Sequence, residues 1–138
     1  MTTKTYLTIL ILAIISFGFD TGTEKCRIDK LYGDWVFIKL YKTRLAQIDT
    51  LGKVPHMTKF GIPIKTFNKT GIYIDNQGDY ETEGKFSVDK INCSVKTFDD
   101  NGKKGDTLSF EITYLDDKYL LLVDNRMGFF RTYFYKRK

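Results

Sequence analysis

Beyond residue 70 the chain leaves no stretch long enough to carry a parallel crossover, and that limits its fold more than any other feature. Short runs rich in Val, Ile, Phe, Tyr and Thr lie at 35–41, 70–75, 84–88, 91–98, 107–114, 119–124 and 129–135. Strong turn signals separate them: Asp75-Asn76-Gln77-Gly78-Asp79, Asp99-Asp100-Asn101-Gly102, Leu115-Asp116-Asp117-Lys118 and Asp124-Asn125-Arg126-Met127-Gly128. Asn and Gly tolerate the positive φ of hairpin turns. Parallel neighbours need a connection of about a dozen residues or more, so these runs pair as antiparallel hairpins. Alternation puts Phe86 and Val88 on one face, Ile91, Cys93 and Val95 on another, and Leu108, Phe110, Ile112 and Tyr114 on a third. A meander of about eight strands exposes two edges unless it closes on itself. The sequence therefore predicts an all-β fold, a single antiparallel up-and-down β-barrel. Its interior has room for packed side chains or one small ligand.

Two segments fall outside this rhythm. Between residues 41 and 67 no clean alternation exists. Leu45, Ile48 and Leu51 recur every three residues, then Pro55, Gly61 and Pro63 interrupt the chain. A long irregular connection in a small domain is usually functional or mobile, and two readings stand, a lid across one barrel mouth or a surface loop. The other segment is the start. Lys4 precedes an apolar run from Tyr6 to Phe19, shorter than the about 20 residues that span a bilayer, and Ser16-Phe17-Gly18 offers small residues to a signal peptidase. Residues 1–18 read as a signal peptide, with an uncleaved anchor as the alternative, 19–30 as an N-terminal extension and 31–138 as the barrel. The expected location is secreted or periplasmic, with no stable membrane span.

Composition narrows function mainly by exclusion. With 22 Lys and Arg against 17 Asp and Glu the chain carries +5, spread along its length. This is a mild excess and no nucleic-acid partner is expected. Lys136-Arg137-Lys138 reads as a solvated tail. A single His and two Cys argue against a zinc module, a histidine triad or a metal centre. His56 has no partner at metal spacing, and residues 99–103 lack the acidic ligands of a calcium loop. Asp79, Glu81 and Glu83 alternate as a solvated sheet face. Asn68-Lys69-Thr70 and Asn92-Cys93-Ser94 match the glycosylation pattern. No nucleophile elbow, phosphate loop or cofactor motif is present, so neither an enzyme nor a cofactor is expected. In an exported chain, Cys26 and Cys93 invite one disulfide, worth about 4 kcal/mol in the chain-entropy view. The alternative is two buried thiols.

Leu31-Tyr32-Gly33-Asp34-Trp35 places a G-x-W at the start of the first strand. This resembles the signature of the calycin superfamily, the lipocalins and fatty-acid-binding proteins. Phe67-Asn68-Lys69-Thr70-Gly71-Ile72-Tyr73, Glu83-Gly84-Lys85-Phe86-Ser87-Val88 and the ending Tyr133-Phe134-Tyr135-Lys136-Arg137 are similar to small bacterial lipocalin-like proteins. The resemblance covers roughly residues 27–138. It implies a lipocalin-like barrel with Trp35 plugging the closed end. No T-D-Y stretch of the large lipocalins is found. Arg131-Thr132-Tyr133 resembles the R-x-Y pair with which fatty-acid-binding proteins hold a carboxylate. Three placements of Arg131 remain open: at the surface, stacked on Trp35, or facing a ligand anion. Phe130, Thr132 and Phe134 form the more apolar face of that strand and have the stronger claim to the interior.

Phe37, Tyr73, Phe86, Phe110, Tyr114 and Leu122 form the expected barrel lining, either as packed core or as the wall of a ligand cavity. With Trp35, Arg131 and Tyr133 they make the candidate ligand site. The expected activity is non-covalent binding of a small apolar or amphipathic molecule. The rival is a filled barrel that binds another protein. A continuous apolar void of about 300 Å³ or more favours the first and dense packing the second.

Overall fold

Alternating runs joined by tight turns build a closed sheet. The computed structural model describes residues 26–48, 61–99 and 107–138. The expected leader, His56 and the Asn101-Gly102 turn lie outside them. The strands are β1 (Gly33–Tyr41), β2 (Ile64–Phe67), β3 (Ile72–Asn76), β4 (Glu81–Asp89), β5 (Ser94–Asp99), β6 (Thr107–Leu115), β7 (Tyr119–Asp124) and β8 (Arg131–Arg137). Each is antiparallel to the next, and β8 pairs with β1 to close an up-and-down barrel, with Arg137 opposite Trp35 and Thr132 opposite Tyr41. Closure leaves no strand of this sheet with an unpaired edge.

β2 is the strand that the sequence did not signal. It has four residues, follows Pro63 and lies inside the stretch expected to be irregular. Its alternation is nevertheless clean, with Lys65 and Phe67 both buried.

One end of the barrel is sealed. Ile28–Lys30 forms a single 3-10 turn beneath it, and Leu31 beside this turn is fully buried. Trp35 is also fully buried and donates its indole N–H to the Leu31 carbonyl at 2.7 Å. Arg137 covers the indole with its guanidinium carbon 4.2 Å from the ring centroid. Stacking on Trp35 is thus the role of Arg137, not of Arg131. Arg137 is no solvated tail residue. It also donates to the carbonyls of Tyr32 (2.9 Å), Asp117 (2.9 Å) and Lys30. Gly33 makes this possible: its φ is +129°, and a Cβ there would sit 2.7 Å from Arg137 Nη1. The Cys26–Cys93 disulfide, with Cα atoms 5.3 Å apart, ties the N-terminal segment to the β4–β5 turn at the same end.

The face assignments need four corrections. Ile91 lies in the β4–β5 turn and is 95% exposed, so it does not join Cys93 and Val95. The β6–β7 register shifts between Ile112 and Tyr114. The inserted residue reverses the parity, and Tyr114 moves from the interior to an outer cluster with Ile38, Leu121 and Phe134. In β8 the interior face is the odd-numbered one: Tyr133 and Tyr135 pack with the core, while Thr132 and Phe134 face outward and Phe130 stays half-exposed before the strand. Finally, of the stretch expected as a lid or a surface loop, residues 49–60 lie outside the described residues, and residues 42–48 do not cross the barrel mouth. They run along the outside as a strap over Phe134 and Leu121, with Leu45 and Ile48 packed against the outer cluster.

Candidate functional site

The barrel is filled at its sealed end and hollow at the other. Trp35, Phe67, Tyr73, Phe86, Val95, Leu120 and Leu122 pack the lower interior. Phe67 and Phe86 meet edge to face with centroids 5.1 Å apart. The Tyr73 ring lies over Gly84, where a Cβ would come within 2.5 Å of it. Above this core a recess of about 400 Å³ opens toward solvent.

Six elements build its wall. β1 supplies Phe37, and β2 supplies Ile64 and Lys65 with Pro63 just ahead of them. Asp75 comes from the end of β3 and Gln77 follows it; β6 gives Leu108 and Phe110; β8 gives Tyr133 and Tyr135; and Arg126 reaches in from the β7–β8 loop. Two aromatic pairs form the wall's hard surfaces, Phe37 on Tyr135 at 5.6 Å and Phe110 on Tyr133 at 5.9 Å, both edge to face. The remaining lining joins Pro63, Ile64 and Leu108 to the polar Lys65, Asp75, Gln77 and Arg126, so the void has the expected size but a mixed, not an apolar, wall.

Charge is organised around two carboxylates. Asp75 lies 3.9 Å from the ammonium of Lys65, whose side chain is only 11% exposed. Asp124, with a fully buried side chain, accepts from Arg126 at 2.9 Å and from Arg131 at 3.0 and 3.1 Å. Burial opposes ionisation of Asp124, but the hydrogen bonds from Arg126 and Arg131 outweigh it and hold the carboxyl below its ordinary range. Burial pushes the phenols of Tyr133 and Tyr135 upward, and the neighbouring Asp124 and Asp75 charges push them further. Both phenols are therefore neutral hydrogen-bonding groups at ordinary pH. Lys65 Nζ lies 5.4 Å and the Arg126 guanidinium 5.8 Å from the Phe110 centroid, so two cations share one ring.

Of the candidate residues, Phe37, Phe110 and Tyr133 line the recess. Trp35, Tyr73, Phe86 and Leu122 belong to the packed core beneath it, and Tyr114 lies on the outer face. Arg131 shares the interior face with Tyr133 but is engaged by Asp124. Sequence reasoning missed Lys65, Asp75, Gln77, Arg126 and Tyr135. A usable signal existed for two of them: Lys65 alternates with Phe67, and Asp75 with Tyr73, so each charge shares a face with a core aromatic.

Among the described residues, no group of three or more His, Cys, Asp or Glu is placed to hold a metal ion. No helix among them is long and apolar enough to cross a membrane. Compared with known proteins, the chain matches no family model and no curated protein.

Proposed function

We propose that the protein is an exported, lipocalin-like carrier that holds one small amphipathic molecule non-covalently in the open half of its barrel. The observation that carries this reading is the recess itself. It has the volume of a small-molecule site, aromatic pairs to bury an apolar body, and a few polar groups in its wall. The disulfide supports export, since such bonds persist in oxidising compartments. The reading is of a binder and not of a catalyst: the buried carboxylate is held by two guanidiniums and the phenols are held neutral, so none of them is poised to move a proton near neutral pH.

Titration with phenylnaphthylamine, a neutral dye that fluoresces in apolar surroundings, tests the reading. Saturable binding at one site per chain is expected, weakened about ten-fold by Phe110→Ala, which removes a wall ring. Absence of saturable binding would overturn it. A second reading has its own support. The β7–β8 loop exposes three large apolar side chains within four residues, Met127 (65%), Phe129 (48%) and Phe130 (45%), which suit contact with another protein. Retention of a stoichiometric protein partner with an empty recess, seen by native mass spectrometry from the source organism, would favour that reading.

A further inference from the structure

The outer wall of the barrel carries a groove separate from the recess. We infer that this groove binds a neutral pyranose sugar, its ring seated on Phe130 and its hydroxyls held by Ser94, Ser109, Glu111 and Asn125. The site lies outside the barrel and is independent of the carrier reading.

The groove has a volume of about 250 Å³ and crosses three neighbouring strands. Ser94 of β5 stands opposite Glu111 of β6, and Glu111 opposite Val123 of β7. Alternation turns all three outward, because their neighbours Val95, Phe110 and Leu122 fill the core. The row is about 10 Å long, two strand spacings. Ser109 adjoins it, two residues before Glu111 on the same face of β6. Short side chains at Ser94 and Ser109 keep the floor low, and the β7–β8 loop raises one bank with Asn125 and the half-exposed Phe130.

The two charges that line the groove are already matched. Glu111 accepts from Nε and Nη2 of Arg44, and Asp124 is held by Arg126 and Arg131. Lys96, opposite Ser109, is not part of the lining. A charged ligand therefore finds no unmatched counter-charge in the groove to offset its lost hydration. What the groove offers instead suits hydroxyls and C–H bonds. Serine hydroxyls donate and accept, the Asn125 amide does both through separate atoms, and the Glu111 carboxylate keeps lone pairs for further O–H donors. Among the described residues, no hydrogen bond engages the side chains of Ser94, Ser109 or Asn125. A pyranose has two matching surfaces, a face of C–H bonds and a rim of hydroxyls. Its slightly positive C–H face suits the negative face of the Phe130 ring.

Heteronuclear NMR of the oxidised protein tests the inference, with methyl β-glucoside, methyl β-galactoside, methyl α-mannoside and methyl N-acetyl-β-glucosaminide as probes. At least one should shift the amides of Ser94, Ser109 and Asn125 with a Kd of about 1 mM, the strength of one ring contact and a few hydrogen bonds. Phe37 and Gln77, at the recess, should not respond. Phe130→Ala should weaken that glycoside about ten-fold or more, and Phe130→Trp should retain it. Ser109→Val suits a strand but removes a hydroxyl and raises the floor, so it should also weaken binding about ten-fold. A trisaccharide of the same sugar separates a lone ring from a glycan chain: an equal Kd assigns one ring, and about ten-fold tighter binding assigns a chain. No shift with any of the four glycosides would overturn the inference, as would unchanged affinity in Phe130→Ala and Ser109→Val. Tighter binding of a methyl uronide than of its neutral counterpart would also overturn it. Phenylnaphthylamine should leave the sugar response unchanged. Competition between dye and sugar would place the sugar in the recess and sink the groove, whereas failure of the dye alone removes only the carrier reading.

Discussion

Arg137 and Trp35 show how one residue pair can shut a barrel. The guanidinium stacks on the indole, and its N–H groups reach carbonyls from the N-terminal segment and the β6–β7 turn. A lysine has the charge but not the planar fork, so it cannot replace this arrangement. Arg137→Ala is expected to lower stability by about 2–3 kcal/mol, counting the stack and the lost charge-assisted bonds. Arg137→Lys should recover less than half. The measurement is a urea midpoint followed by Trp35, the only tryptophan, whose emission should shift to the red in the variant as water reaches the ring. An unchanged midpoint would mean that the stack contributes nothing net.

β7 is the element whose composition reveals its surroundings. Leu120, Leu121, Leu122 and Val123 are all buried, so the strand is covered on both faces. A continuous apolar run is what a doubly covered strand requires, and alternation suffices for strands with one wet face. The outer cover is the strap at 42–48. The Thr132 hydroxyl donates to the Thr43 carbonyl at 2.6 Å and accepts from the Leu45 amide at 3.0 Å, and Thr113, at the β6 register shift, donates to the Leu45 carbonyl at 2.6 Å. The exposed Arg44–Glu111 pair adds little beyond position, as surface pairs do. Thr132→Val keeps the shape and removes the hydroxyl, leaving two strap groups unpaired. The expected cost is about 1–3 kcal/mol, with faster hydrogen exchange at the Leu45 amide and little change at core amides of β4 and β5. Slower or equal exchange at Leu45 would show that the strap is held by apolar contact alone.

At the scale of the whole molecule, acid stability follows from two hydrogen-bonded carboxylates, the buried Asp124 and the partly buried Asp116. Asp124 and Asp116 both have folded-state values below the ordinary one; for Asp116, burial opposes ionisation, but the Tyr114 hydroxyl and the amides of Lys118 and Tyr119 outweigh it. The unfolded chain therefore takes up protons first as pH drops below about 4. The contribution of these groups is complete above that pH and is lost as pH falls through the lower folded-state values. Urea midpoints measured between pH 6 and about pH 3 should fall steeply for the wild type and less steeply for Asp124→Asn. Parallel slopes would show that Asp124 is not a source of acid lability. The barrel was legible because turn chemistry and period-two patterning act locally: Asp116 and Asp89 hold their turns through bonds to amides two and three residues on. The sealed end was half legible, since G-x-W pointed to Trp35 but not to the arginine that meets it. The recess was read only in part. Phe37, Phe110 and Tyr133 follow from alternation, whereas Tyr114 was misplaced because a one-residue shift leaves no mark in residue types. The sequence by itself determined an antiparallel sheet that must close, because its turns are short and its edges otherwise stay open. Only the tertiary structure decided where the barrel is hollow and which charges line the hollow, because both depend on how strands far apart in the chain come into register across the closed sheet.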